Sequence, residues 1–172
     1  MSTLIRCLTP DDAAALQALR LEALEQAPQA FGSSHEEERG LGPDVFRLWA
    51  TPTETSAIFG VFVDGRLAGM AGVGRQSRLK MRHKAHIWGV YVSPGLRGQG
   101  LARQVLLAAL ARVEAMPGVQ QVKLSVSAGN ASALALYEAL GFQTYGREPA
   151  ALCVDGMMHD ELLMARPVAG RP

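Results

Sequence analysis

Val90-Tyr91-Val92 leads through Ser93-Pro94 into Arg97-Gly98-Gln99-Gly100-Leu101-Ala102, after which apolar residues recur at helical spacing. A strand that enters a helix through two near-adjacent glycines leaves backbone N–H groups unpaired at the helix start, with the helix dipole behind them. Such a turn binds anions, and glycine lets an oxygen approach where a Cβ would otherwise stand. Arg97 adds a fixed positive charge. The same residues also suit a plain tight turn beside a solvated arginine. Two common nucleotide sites are excluded by spacing. No Gly-x-x-x-x-Gly-Lys-Ser/Thr occurs, and Arg103 stands where the dinucleotide fingerprint needs its third glycine.

Three more side chains could do chemistry. His86 has the ordinary pKa of ~6.5 that suits proton transfer near neutrality, or it pairs with backbone at a strand entry. Strand parity sets it on the face of Trp88 and Val90, unless a bulge at Gly89 shifts the count. Asn130 is a good helix cap. Tyr137 shares a helix face with Ala133, Leu134 and Leu140, which suits core packing with a satisfied hydroxyl. No metal is expected. His83 and His86 would point to opposite faces of a strand without a Cys or acid beside them, and His159 near Asp155 and Asp160 reads as surface or substrate-rim polarity. Arg75, Arg78, Lys80, Arg82 and Lys84 form a basic run that reads as a solvated connection or an anion contact; it has no aromatics for stacking bases.

These residues need a scaffold. Residues 4–8 read as a strand, and Thr9-Pro10-Asp11-Asp12 as the start of a helix that stops at Pro28. Residues 31–42 are polar and loop-like, and Pro43-Asp44 opens a short helix. Residues 57–63 and 66–74 form a hairpin around Asp64-Gly65. Residues 86–92 are the most strand-like run. Helices from Leu101 to Pro117 and from Asn130 to Gly141 flank a strand at 122–126. Residues 142–146 and 157–164 complete the sheet, and a loose tail follows from about 166. The strand–helix–strand unit in the middle requires a parallel pair. The expectation is one mixed α/β domain over 1–172.

Composition bounds the rest. A chain of 172 residues buries one sizeable core, and 48% hydrophobic with 19% charged residues excludes disorder. Seventeen Lys and Arg against sixteen Asp and Glu leave +1, so global charge makes no case for nucleic acid or an anionic membrane. Cys7 and Cys153 are too few and too far apart for a disulfide framework and read as reduced thiols. The first residues are too short an apolar run for a signal peptide, and nothing approaches the ~18 apolar residues of a membrane span. A cytoplasmic protein is expected, with no membrane or nucleic-acid partner.

Val90-Tyr91-Val92-Ser93-Pro94 followed by Arg97-Gly98-Gln99-Gly100-Leu101-Ala102 resembles the acetyl-CoA-binding motif of the GNAT N-acetyltransferases, (Gln/Arg)-x-x-Gly-x-(Gly/Ala), with Arg97, Gly100 and Ala102 in its named positions. The run Asn130-Ala131-Ser132-Ala133-Leu134-Ala135-Leu136-Tyr137 through Phe142 resembles the second signature of the same superfamily, in the right order. The resemblance implies a mixed, mostly antiparallel sheet whose parallel pair splays, flanked by helices. It implies that the backbone of Val90, Tyr91 and Val92 pairs with the pantetheine arm of acetyl-CoA. The amides of Arg97, Gly98, Gln99, Gly100, Leu101 and Ala102 would hold the pyrophosphate. Asn130 would bond the pantetheine arm, and Tyr137 would lie near the sulfur.

The implied activity is acetyl transfer to a primary amine of a small molecule, by direct attack with both substrates bound and without a metal. Protein N-terminal or lysine acetylation is the alternative within the class, and a non-catalytic CoA-binding sensor or structural protein is the alternative outside it. Whether two copies pair stays open. Many similar enzymes use Glu as base near this strand, and none stands between His83 and Val92. His86 is the first candidate base, with Glu36, Glu37 or a water chain as substitutes. Residues 31–49 and 150–160, loops by composition, are expected to build the acceptor pocket with Glu36, Glu37, Trp49, Asp155 and Met157.

Overall fold

The computed structural model describes residues 1–168. Its sheet runs in the order β1-β2-β3-β4-β5-β7-β6, with β1 (Thr3–Cys7), β2 (Ser56–Val63), β3 (Arg66–Arg75), β4 (Lys84–Val92), β5 (Gln121–Ser127), β6 (Gln143–Val154) and β7 (Met157–Pro167). Every neighbouring pair is antiparallel except β4 and β5. Helix α1 (Ala13–Gln26) follows β1, with α2 (His35–Arg39) and α3 (Pro43–Ala50) before β2. The crossover between the parallel strands is α4 (Leu101–Glu114), and α5 (Ala131–Ala139) joins β5 to β6. This is the mixed α/β architecture expected, with its one parallel pair.

Alternation along the strands divides the core in two. Val61, Ala71, Val73 and Ile87 join α4 and α5 in one cluster, while Ile58, Phe62, Met70 and Trp88 join α1 and α3 in the other. Burial of these apolar faces supplies most of the driving force for assembly.

Two local events make β4 different from an ordinary central strand. Met70 pairs with Tyr91 and Gly72 with Trp88, so Gly89 and Val90 together oppose Ala71. That is a β-bulge, and Gly89 takes the left-handed φ of +63°. The extra residue shifts parity: Trp88 packs toward α1 and α3, whereas Val90 packs with the α4 cluster. Val90 therefore does not share the face of His86 and Trp88, as unbroken alternation would have had it. Secondly, β4 pairs with β5 only over residues 84–86. From residue 87 the two strands part, and among the described residues that edge of β4 has no strand partner.

Three expectations need correction. Residues 35–39 are helical, because Ser34 and Glu37 form a capping box in which Glu37 accepts from the Ser34 amide at 2.7 Å. Residues 150–160 are a strand hairpin rather than a loop, turning at Asp155-Gly156. Arg166 and Pro167 belong to β7, and Val168 is buried and donates to the Gln120 carbonyl at 2.9 Å. The expected tail therefore excludes residues 166–168, and its remainder lies outside the described residues.

Candidate active site

Residue Gly100 caps α4 with φ +75°, and Gly98 has φ +77°. Nothing lies within 4 Å of the point where a Cβ would stand on either. The backbone of the turn is thus open, and the cap glycine has no side chain to take the first-turn N–H groups of α4. Arg97 folds back, its Nε donating to the Val92 carbonyl at 2.9 Å and its guanidinium lying 5.5 Å from the centre of the Tyr91 ring. Its terminal nitrogens keep further donors for an anion. Tyr91 itself is buried, donating to Glu22 at 3.0 Å, and burial with that carboxylate pushes its pKa up to about 12.

The parted edge of β4 leads from this loop toward the middle of the sheet. Across it, Asn130 caps α5, its Oδ1 accepting from the Ala133 amide at 3.1 Å. The cap uses only that oxygen, so the amide nitrogen can still donate. Tyr137 is buried in the α4–α5 cluster with Val90, Val92 and Val126, edge-on to Phe142 at 6.0 Å. Burial pushes its phenol to about 12, so its proton stays on the oxygen at neutral pH.

A cavity of about 540 Å³ opens on the other face of β4, between α1, α3 and β2 to β4. Its walls include Arg20, Glu38, Trp49, His86 and Trp88. Two glycines on β3 admit the ring systems: a Cβ on Gly72 would stand 2.3 Å from the Trp88 indole, and one on Gly74 would stand 2.7 Å from His86. Burial lowers the His86 pKa below its ordinary 6.5, opposed by the Gly74 backbone, and its Nδ1 is buried without a partner. Glu38 is buried and binds Arg20 through both oxygens, Nε to Oε2 and Nη2 to Oε1, each 2.8 Å.

Glu36 and Glu37 do not reach this cavity. Glu36 is exposed, and Glu37 is engaged at the α2 cap, where the Ser34 backbone and hydroxyl hold its carboxyl below the usual range. The acid that composition could not single out is Glu38. Trp49 lines the cavity, whereas residues 150–160 contribute nothing to its walls. The basic run spans the connection from Arg75 at the end of β3 to Lys84 at the start of β4, so the length of β4, about 26 Å at about 3.3 Å per residue, separates it from Val92 and the turn beyond. Among the described residues no cluster of three or more His, Cys, Asp or Glu is placed to hold a metal ion. No described helix is long and apolar enough to cross a membrane.

Residues 16–142 match the acetyltransferase (GNAT) family. Phosphinothricin N-acetyltransferase of Alcaligenes faecalis is 35% identical over 79 residues, covering 46% of this chain and 40% of that protein. Mycothiol acetyltransferase of Brachybacterium faecium is 29% identical over 144 residues, covering 77% of this chain and 43% of that protein. The chain thus spans under half the length of both curated relatives. Among solved structures, yncA of Salmonella typhimurium, determined with its cofactor acetyl-CoA, superposes with a TM-score of 0.86 at 20% identity, covering 100% of this chain and 97% of that one.

Proposed function

The chain belongs to the acetyltransferase (GNAT) family, and on that footing we propose that it acetylates a primary amine of a small molecule, using acetyl-CoA, with both substrates bound together. The observation that carries this reading is the parting of β4 from β5 after residue 86, directly upstream of the open glycine loop. The fit to acetyl-CoA rests on that loop: two left-handed glycines leave its backbone N–H groups in open space, where a Cβ would stand in the path of a bound phosphate.

Amides from Gly98 to Ala102, with Arg97, would hold the pyrophosphate. The free edge of β4 at Val90 and Tyr91 would pair with the pantetheine amides, joined by Asn130. Bound acetyl-CoA supplies a thioester as acetyl donor. The chain's own residues then manage protons and charge. A β4 N–H near the bulge would stabilise negative charge on the carbonyl oxygen, where one well-placed donor contributes roughly 3 kcal/mol. His86 Nδ1, already stripped of partners, would take the proton of the incoming ammonium, directly or through one water. Tyr137 Oη would give a hydrogen bond or a proton to the departing sulfur. His86 lines the cavity and Tyr137 packs in the cluster on the opposite face of β4, so the reaction would run through the fork between the strands.

The test is thiol release from acetyl-CoA with a broad panel of amines, read together with calorimetric acetyl-CoA binding. Release with at least one amine supports the transferase. Tight binding without release from any acceptor leaves a CoA-binding protein and rejects the enzymatic reading.

The role of His86 has its own signature. Burial favours the neutral ring, so the active form persists below pH 6.5 and is lost as pH falls through the lowered pKa. The wild-type profile of kcat/KM should therefore show an acidic limb below 6.5, measured from about pH 5 to 9. His86→Ala should lower the plateau and remove that limb. A limb unchanged in the variant transfers the role to water or another group.

A further inference from the structure

Arg20 is 7% exposed, and Glu38 takes two of the five N–H donors of its guanidinium. Glu38 occupies the side-on fork of Nε and Nη2 at 2.8 Å. Nη1 is buried without a partner, and with the second hydrogen of Nη2 it forms a vacant end-on fork. The guanidinium is held in place from two sides, by Glu38 and by the Phe31 ring at 4.8 Å. Nη1 lies against the bulge, 3.5 Å from where a Cβ of Gly89 would stand, which sets it beside the fork of the sheet. An unspent fork on a fixed, desolvated guanidinium matches the two oxygens of a carboxylate.

We propose that the cavity selects acceptors bearing a carboxylate close to the amine, as in a free α-amino acid, with the vacant edge of Arg20 taking the carboxylate. This rests on the acetyltransferase reading for its reaction but not for its binding. The charged and titratable groups in the cavity wall are Arg20, Glu38 and His86. Both oxygens of Glu38 are committed to Arg20, so no free anion awaits a second ammonium and a polyamine finds no partner. A peptide N-terminus has an amide where the fork calls for a carboxylate. Two indoles, Trp49 and Trp88, wall the site and suit the apolar remainder of an amino acid.

Both tryptophans of the chain line this cavity, so intrinsic fluorescence reports its occupancy without any turnover. The full chain is titrated with the twenty free amino acids, each against its α-amide and its decarboxylated amine, and with spermidine and a tetrapeptide. At least one free acid should bind 100-fold or more tightly than its amide and amine. Arg20→Lys keeps a charge for Glu38 but loses the second fork, and should bring that preference below about fivefold while acetyl-CoA affinity measured by calorimetry holds. The paired change Arg20→Met with Glu38→Met removes both charges together and should do the same, which guards against a single variant that fails to fold. Equal binding of acids and amides, best binding by spermidine or the peptide, silence of the whole panel, or a preference retained in folded Arg20→Lys each overturns the proposal. Acid-selective binding without thiol release would reject the transferase reading and leave this site standing.

Discussion

Gly100→Val should lower acetyl-CoA affinity by more than 100-fold while the chain stays folded. The residue caps α4 at φ +75° and ψ 6°, and the space around its missing Cβ is empty of protein. A Cβ there has no protein atom within 4 Å, and in the proposed site the branched side chain would stand in the way of the incoming phosphate. It also strains the backbone, since an L-residue in the left-handed region costs about 1–2 kcal/mol and a β-branched one somewhat more. That is a fraction of the roughly 5–15 kcal/mol that keeps a domain folded, so the variant should remain soluble and cooperative. Gly118 supplies the control. It lies just beyond the far end of α4 with φ +76° and equally empty surroundings. Gly118→Val carries the same strain without touching the proposed anion site, and should leave affinity within about twofold. Calorimetry that finds equal losses in both variants, or no loss in Gly100→Val, refutes the assignment of the loop.

The contrast between the two glycines also explains what was legible from residues alone. A strand, a glycine turn and a helix are local events, so their order is readable from the residues alone, and the structure has the strand, the left-handed glycines and the helix in that order. The capping box of Ser34 and Glu37 is local too, but it is embedded in the acidic run Glu36-Glu37-Glu38, which reads as a solvated loop. Which of three consecutive glutamates turns inward depends on Arg20, eighteen positions away, and no spacing rule reports that. Gly89 was legible as a bulge, yet its consequence was not. One inserted residue sends Val90 to the opposite face from Trp88, and only the pairing with β3 reveals whether the count has shifted. Gly72 and Gly74 illustrate the same limit. In the sequence they weaken a strand; in the sheet they make the room that Trp88 and His86 occupy. The length of β6 and β7 was missed for a different reason. Their twelve and eleven residues are largely exposed or half-buried, so hydrophobic alternation fades where backbone pairing continues.

Tyr137→Phe should reduce turnover by about tenfold to a thousandfold, or roughly 1.4 to 4 kcal/mol of transition-state stabilisation. Acetyl-CoA affinity should stay within about threefold. The ring is packed in the core, edge-on to Phe142 at 6.0 Å, and phenylalanine preserves that contact and the helix around it. What disappears is a hydroxyl whose pKa burial has pushed to about 12. Such a phenol stays protonated throughout the working pH range, so it is always available as a donor and sets no basic limb near neutrality. Its value to the reaction grows only as negative charge builds on the departing sulfur, which places the loss in the transition state rather than in ground-state binding. Pure core packing makes the opposite forecast: removing one hydroxyl would leave turnover near wild type. Single-turnover rates, taken with cofactor affinity, separate the two. A near-normal rate with chemistry shown to be limiting takes Tyr137 out of the mechanism, and the sulfur must then leave with a proton from water.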